Sequence, residues 1–246
     1  MSSKPGPSIR LFVTSGLAEG ERHVCDANQT HYLASVLRLD AGAELLVFNG
    51  RDGEWLAEIA EAGRRSCHLR MLKRVRTQTD GPDLHYLFAP LKRSRLDYMV
   101  QKATELGVAR LQPVMTRRTQ AERVNLERMQ ANAIEAAEQC GVLRIPSVSE
   151  PAKLDHVLST WPAGRRLIFC DEAADIANPI AALSQLKPGP MAVLIGPEGG
   201  FTVEERDALS ALPCVTRLSL GPRIMRADTA AVAALALVNA VLGDWR

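Results

Sequence analysis

The chain has 246 residues, 46% of them hydrophobic and 24% charged, enough for one large or two modest domains around a substantial core, which excludes a disordered or fibrous class. Its net charge of +2 is too small to announce nucleic acid, and its five cysteines, odd in number, scattered and never spaced C-x-x-C, exclude a disulfide framework and a zinc site. No apolar run is long enough to span a bilayer and MSSKPGPSIR lacks the apolar core of a secretory signal, so a cytoplasmic protein with no membrane contact and no metal is expected.

Taken in chain order, the first 79 residues alternate short strand-like runs with turn signals: SIRLFV, then ELLVF and EWLAEIAEA around NGRDG, then SCHLRMLKRV. NGRDG is rich in residues that tolerate positive φ, which marks a hairpin loop. One short helix fits HYLASVLRL over 31–39. The pattern predicts a small β-barrel or sandwich. The polar stretch TQTDGPD then carries Gly-Pro punctuation, which places a domain boundary between 79 and 80.

Beyond it the pattern changes to strand, helix, strand, helix. LHYLFAP is a strand candidate, and Ser94 is placed to cap a helix whose Leu96, Met99, Val100, Ala103 and Leu106 follow the i, i+3, i+4, i+7 rule until Gly107. Further strands are expected at RLQPV, RRLIFC, MAVLI and VTRLSL, and helices at 122–140, near 178–186, after Thr202 and from about 228 to 242. Such alternation implies a parallel sheet covered by helices, with ligands beyond the carboxyl ends of its strands. The final helix is apolar all round over 230–242 and must be buried, in the domain core or against another subunit.

Basic residues gather in two places. Arg64, Arg65, Arg70, Lys73, Arg74 and Arg76 occur with no acidic residue among them, and Lys92, Arg93, Arg95, Lys102, Arg110, Arg117 and Arg118 occur against only Asp97 and Glu105. Such clusters suit a phosphate backbone or, equally, a solvated strand edge and helix face.

Two strands end in glycine-proline loops. LIGPEGGFT breaks an apolar run into a proline, a carboxylate and glycines, and Thr202 with Glu205 then forms a capping-box signature. A glycine loop feeding a helix suggests phosphate, but no lysine follows Gly200 as a P-loop requires, and Glu198 would face the pyrophosphate of a dinucleotide. A plain turn and a ligand loop both remain open on this motif alone. The second loop, LSLGPRIMRADTA, sets Arg223, Arg226 and Asp228 between a strand and the last helix, where an ordinary buried connection would not favour charge.

Together LIGPEGGFTVEE and LSLGPRIMRADTA resemble the paired motifs of SPOUT-class methyltransferases, and in detail the RsmE-type 16S ribosomal RNA uridine-N3 methyltransferases; LKRSRLDYMVQKATELGV, EAAEQCG and HYLASVLRLDAGAELLVFNGRDG extend the likeness over nearly the whole chain. The resemblance implies a PUA-like RNA-binding β-barrel over 1–79 and an α/β domain over 80–246 with a parallel sheet and a deep trefoil knot. It implies S-adenosyl-L-methionine as cofactor, a homodimer, and 16S ribosomal RNA, within the small ribosomal subunit, as partner. The cofactor residues it implies are Leu194, Ile195, Gly196, Pro197, Glu198, Gly199, Gly200, Ser219, Leu220, Gly221, Ile224, Met225 and Ala230, with a contribution from the CDEA loop around Asp171 and Glu172. Crossing backbones that approach each other and the adenine would explain the glycines. RNA contacts fall to Arg38, Arg64, Arg65, Arg70, Lys73, Arg74, Lys92, Arg93 and Arg118.

For the chemistry, Arg226 is the expected cation beside the uracil oxygens, or else the partner of Asp228 or Glu198; Glu198 is the candidate base, or else a cap of the following helix. No cysteine is needed as a nucleophile. The chain departs from the family pattern at Cys140, Val142, Met225 and Asp228. Within the same class the alternative is a methyltransferase of another RNA nucleotide; readings of a different class are a nucleotide-dependent oxidoreductase or phosphate enzyme on an open α/β sheet and a non-catalytic RNA-binding protein.

Overall fold

The computed structural model describes residues 8–63, 66–120, 123–174 and 178–245. It divides into two compact units, one of residues 1–79 with 138–144 and one of residues 80–137 with 145–246.

The first unit holds β1 (Arg10–Phe12), β2 (Arg22–Val24), α1 (Ala27–Thr30) running on into a wider turn at His31–Val36, β3 (Glu44–Phe48), β4 (Glu54–Ala62) and β5 (Cys67–Arg76). The sheet order is β1-β3-β4-β5-β2, with β1 parallel to β3 and the other pairs antiparallel. Period-two alternation sends Cys67, Leu69 and Met71 inward with Leu45, Val47 and Ile59, and Leu33 seals the cluster from the helical turn. The helical segment starts four residues before the expected 31, because Asp26 and Gln29 form a capping box. Gln29 also ties the sheet's edges: its amide donates to the Phe12 carbonyl of β1 at 3.0 Å and its oxygen meets His23 of β2 at 3.1 Å. The hairpin at NGRDG forms as read, and Gly53 is fixed there by φ +82° and by the Arg76 carbonyl, 2.2 Å from where a Cβ would stand.

The second unit continues with β6 (Leu84–Phe88), α2 (Arg93–Glu105), β7 (Arg110–Met115), α3 (Leu126–Cys140), β8 (Ser147–Val148), β9 (Ala152–Lys153), α4 (Leu154–Ser159), β10 (Arg166–Cys170), α5 (Pro179–Ser184), β11 (Met191–Ile195), α6 (Val203–Ser210), β12 (Val215–Leu218) and α7 (Ala227–Val241). The last residues of α3 count with the first unit. The strands run parallel in the order β12-β10-β11-β6-β7-β8, with β9 beside β7. Both faces are covered, as a parallel sheet requires. On one face Tyr86, Phe88, Val193 and Ile195 pack with Met99, Val100, Leu235 and Val238; on the other Leu87, Phe169 and Leu194 pack with Leu154, Phe201 and Leu209.

Two expectations need correction. Ser94 is not a cap: α2 starts at Arg93, Lys92 holds the cap position, and no side chain bonds there. The helix expected from 122 starts at Leu126, where the Asn125 side chain accepts from Arg128 N; Glu122 itself lies outside the described residues. The last helix buries Ala231, Ala234, Leu235 and Val238 within the domain, while Val232, Ala233 and Ala236 are half-buried and Ala240 is exposed. The short β2, β8, β9 and α4 escaped the reading because two to six residues carry too little periodicity to register.

Candidate active site

Three loops leave the carboxyl ends of neighbouring strands β11, β12 and β10 and enclose a pocket of about 240 Å³. The first runs from Gly196 to Thr202. Thr202 caps α6: its hydroxyl accepts from Glu205 N at 3.3 Å, and the Glu205 carboxylate accepts from Thr202 N at 2.9 Å. That carboxylate, only 5% exposed, also accepts from Arg117 N at 2.8 Å, which pins the β7 exit to the same helix. Phe201 turns back into the core and meets Phe169 edge-on, with centroids 5.0 Å apart.

The glycines answer different needs. A Cβ on Gly196 would lie 2.3 Å from the Phe201 ring, so a side chain, not a crossing backbone, excludes it. Gly200 has φ +68°, and a Cβ there would stand 3.1 Å from a Glu172 carboxylate oxygen. Gly221, in the second loop, has φ +105° and open space around it, so its requirement is conformational alone.

The pocket gathers Glu172, Ile195, Gly196, Pro197, Glu198, Gly200, Ser219, Leu220, Gly221, Ile224, Met225, Arg226 and Ala230. Two expected members stand elsewhere. Leu194 is fully buried against Phe169 and Phe201 on the opposite face, because strand side chains alternate and Ile195 takes the pocket side. Gly199 faces a neighbouring cleft, where Arg118 donates to its carbonyl at 2.8 Å.

Asp171 and Arg223, read from sequence as members of the CDEA and second glycine loops, also line the pocket, together with Cys170, Phe201, Arg206, Leu218 and Ala227, which sequence reading missed. Asp171, 3% exposed, accepts two bonds from Arg217 at 3.1 and 2.7 Å and lies 3.5 Å from Arg206 Nε. Arg206 also donates to Glu172 at 3.0 Å. Burial pushes the Cys170 thiol up to about 12, which keeps it protonated and chemically quiet beside the pocket.

Of the two residues singled out for chemistry, Glu198 pairs with Arg95 from the first turn of α2 and does not cap α6. Arg226 holds the N-cap position of α7, exposed and without a side-chain cap bond. It pairs with neither Asp228 nor Glu198 among the described residues; Asp228 accepts from Thr229 N at 2.8 Å.

The neighbouring cleft is basic. Lys92, Arg93, Arg118 and Arg123 line it with Pro197, Glu198 and Gly199, so Pro197 and Glu198 form a wall common to cleft and pocket. Arg123 was not among the expected contacts. In the first unit, Lys73 and Arg74 are exposed on β5, Arg70 is ion-paired to Glu58 at 2.7 Å, and Arg38 is exposed with φ +54°. Arg64 and Arg65 lie outside the described residues. No helix among the described residues is long and apolar enough to cross a membrane.

With this geometry in place, the comparisons with known proteins are specific. Residues 79–239 match the family model of an RNA methyltransferase domain and residues 25–72 that of an RNA methyltransferase PUA domain. The chain is 32% identical over 232 residues to the ribosomal RNA small subunit methyltransferase E of Rickettsia conorii, covering 94% of each chain. It is 33% identical over 219 residues to that of Synechocystis, covering 87% of this chain and 71% of the relative. A putative methyltransferase from Legionella pneumophila, solved with the cofactor SAM bound, superposes with a TM-score of 0.84 at 29% identity, covering 96% of this chain and 98% of the other. The methyltransferase E of Neisseria gonorrhoeae shares the fold at a TM-score of 0.88 and 24% identity, covering 97% and 99%. By the domain match over residues 79–239 and the near full-length likeness to the Rickettsia enzyme, the chain belongs to the ribosomal RNA small subunit methyltransferase E family of RNA methyltransferases.

Proposed function

We propose that the protein is an S-adenosylmethionine-dependent methyltransferase that modifies N3 of a uridine in 16S ribosomal RNA, working on the small ribosomal subunit in the cytoplasm as a homodimer. The observation that carries this reading is the wall shared by pocket and basic cleft, because methyl transfer to RNA needs a cofactor site and a phosphate track on two sides of the same few residues. The solved Legionella relative holds SAM.

The pocket's composition suits an adenosyl group. Ile195, Leu218, Met225, Ala227 and Ala230 offer an apolar surface to a flat base, and the loops at 195–200 and 219–225 offer backbone amides and carbonyls to its edge. We read these loops as the crossings of a deep trefoil knot, supported by the insertion of β11 between β10 and β6. The half-buried strip of Val232, Ala233 and Ala236 on α7 supports self-association. Residues 80–246 would thus carry cofactor binding, catalysis and dimerisation, and residues 1–79 an RNA-binding role through Arg38, Arg70, Lys73 and Arg74.

S-adenosylmethionine supplies an electrophilic methyl group on a sulfonium. The chain's own residues must hold the uracil in line and take charge of its N3 proton. Holding two reactants at attack distance contributes on the order of 7 to 11 kcal/mol in well-oriented systems. Arg226, exposed at the pocket, would face the uracil oxygens and stabilise the imidate that forms as the proton leaves. Glu198, on the shared wall, would accept that proton directly or through a water. Lys92, Arg93, Arg118 and Arg123 would position the RNA backbone without reading bases. N3 lies on the pairing edge, so an unpaired loop is the expected substrate.

Transfer of labelled methyl from S-adenosylmethionine to 16S ribosomal RNA tests the activity, and two variants test the roles. Arg226→Ala should keep cofactor and RNA affinity while turnover falls roughly 100-fold or more, as removal of one oxyanion donor does elsewhere. Full turnover in Arg226→Ala would reject the cation role, and full turnover in Glu198→Gln the base role.

A further inference from the structure

Two adjacent carboxylates stand at the exit of β10, and their surroundings set them to different tasks. Asp171 is consumed by the fold: one oxygen takes both bonds from Arg217, the other accepts from Ala173 N at 3.1 Å and faces Arg206 Nε. Glu172 is held on one side only. Its Oε1 accepts from Arg206 at 3.0 Å, its second oxygen takes no partner among the described residues, and its side chain is 60% exposed at the pocket.

The neighbours are arranged around this carboxylate. Arg206 projects from α6, whose start is fixed by the Thr202 and Glu205 capping box, so its guanidinium has a rigid base. Gly200 leaves room: a Cβ there would press to 3.1 Å on Glu172 Oε1 and 3.7 Å on Arg206 Nη2. A carboxylate with one oxygen anchored and one open accepts well from hydroxyl groups, and an acidic side chain at the end of a parallel strand is a recurrent partner of ribose hydroxyls.

We propose that Glu172 recognises the vicinal diol of the bound nucleoside and that Arg206 is its positioning residue, so that this pair makes the pocket selective for ribose. The assignment rests on the cofactor reading above. Arg206 acts through Glu172: its Nη2 donates to one Glu172 oxygen while its Nε lies 3.5 Å from Asp171, so it orients the open oxygen and offsets its charge. Asp171 stays with Arg217 when Arg206 is lost, so the strand end keeps its partner.

Calorimetry with two probes, S-adenosylhomocysteine and its 2′,3′-dideoxy counterpart, tests the proposal. The unaltered protein should bind the dideoxy compound about 10- to 100-fold more weakly, the range for hydrogen bonds to a charged acceptor. Glu172→Ala should lose a similar factor for S-adenosylhomocysteine and then no longer distinguish the two probes. Arg206→Ala should narrow the same ratio, Arg206→Lys should restore much of it, and the double variant should be no worse than Glu172→Ala, which a merely structural arginine would not produce. A Glu172→Ala protein that still discriminates the probes, or losses at 172 and 206 that simply add, overturns the proposal while leaving the methyltransferase reading intact. Failure of the unaltered protein to bind S-adenosylhomocysteine would instead overturn that reading, and this one with it.

Discussion

At Gly196, Gly200 and Gly221 the absence of a side chain serves three separate physical ends, and substitution by alanine tells them apart. Gly221→Ala meets only the left-handed backbone penalty, roughly 1 to 2 kcal/mol. Gly200→Ala meets the same penalty and crowds Glu172, so denaturant unfolding should place it lower than Gly221→Ala, and its affinity for S-adenosylhomocysteine should fall as well. Equal stabilities and unchanged affinity would contradict the packing described. The cysteines offer a second check. Cys140 is exposed, whereas burial holds Cys170 protonated up to about pH 12, so iodoacetamide at pH 8 should alkylate Cys140 and spare Cys170, as peptide mass analysis would read. Modification of Cys170 first would mean that the pocket is more open than it stands here. The two glycine loops were legible because glycine, proline and a capping box punctuate sequence strongly. The meeting of Asp171 with Arg206 and Arg217 was not, because it is made by strand order, and nothing local in CDEA or TRLSL announces it.

Between elements, α2 and α7 are joined by a polar device inside an apolar seam. Asn239, fully buried on α7, donates to the Leu106 carbonyl at the end of α2 at 2.8 Å, supplying a partner to a carbonyl that the helix itself leaves unsatisfied. Asn239→Ala should cost about 1 to 3 kcal/mol in denaturant unfolding, the penalty of a stranded buried acceptor, and a neutral substitution would show that water reaches that carbonyl. At the other end of α2, Arg128 donates to Asp97 at 2.6 and 2.8 Å and holds its carboxyl below the usual carboxylate range, with Asn132 assisting. A depressed folded value gives stability that is present above the unfolded pKa of about 3.9 and is lost as pH falls through the folded one. The gap in melting temperature between the unaltered protein and Asp97→Asn should therefore be steady from about pH 7 to pH 5 and close below about pH 4. A gap that persists in stronger acid would contradict the ion pair. Periodicity made most elements legible, including the buried MAVLI strand and the Leu96 stripe of α2. It failed at Ser94, since a good capping residue loses when the chain geometry lets Lys92 take the cap position two residues earlier.

Over the whole chain, what the amino acids announced best was the change of period near residue 80, from alternation by two to strand and helix in turn. The division into compact units falls there too, but the segment 138–144 joins the first unit through bonds no pattern foretells: Arg10 donates to the Glu138 and Val142 carbonyls at 3.1 Å each, and Arg76 to that of Gly141 at 2.9 Å. The same arginines enclose Glu54, only 2% exposed, with Arg10 at 2.6 Å and its guanidinium 4.3 Å from the centre of the Phe48 ring. These are residues chosen for three-dimensional company. The functional reading rests less on any single residue than on one adjacency: a pocket walled by strand-exit loops and a cleft walled by cations, with Pro197 and Glu198 between them. The most direct test is to incubate the purified protein and S-adenosylmethionine with small ribosomal subunits whose 16S RNA lacks the modification, and to map the product by nuclease digestion and mass spectrometry. The account predicts one added methyl group, on N3 of a single uridine, and none when S-adenosylmethionine is omitted; subunits recovered without a methyl group, or with one on a ribose or on another base, would contradict it.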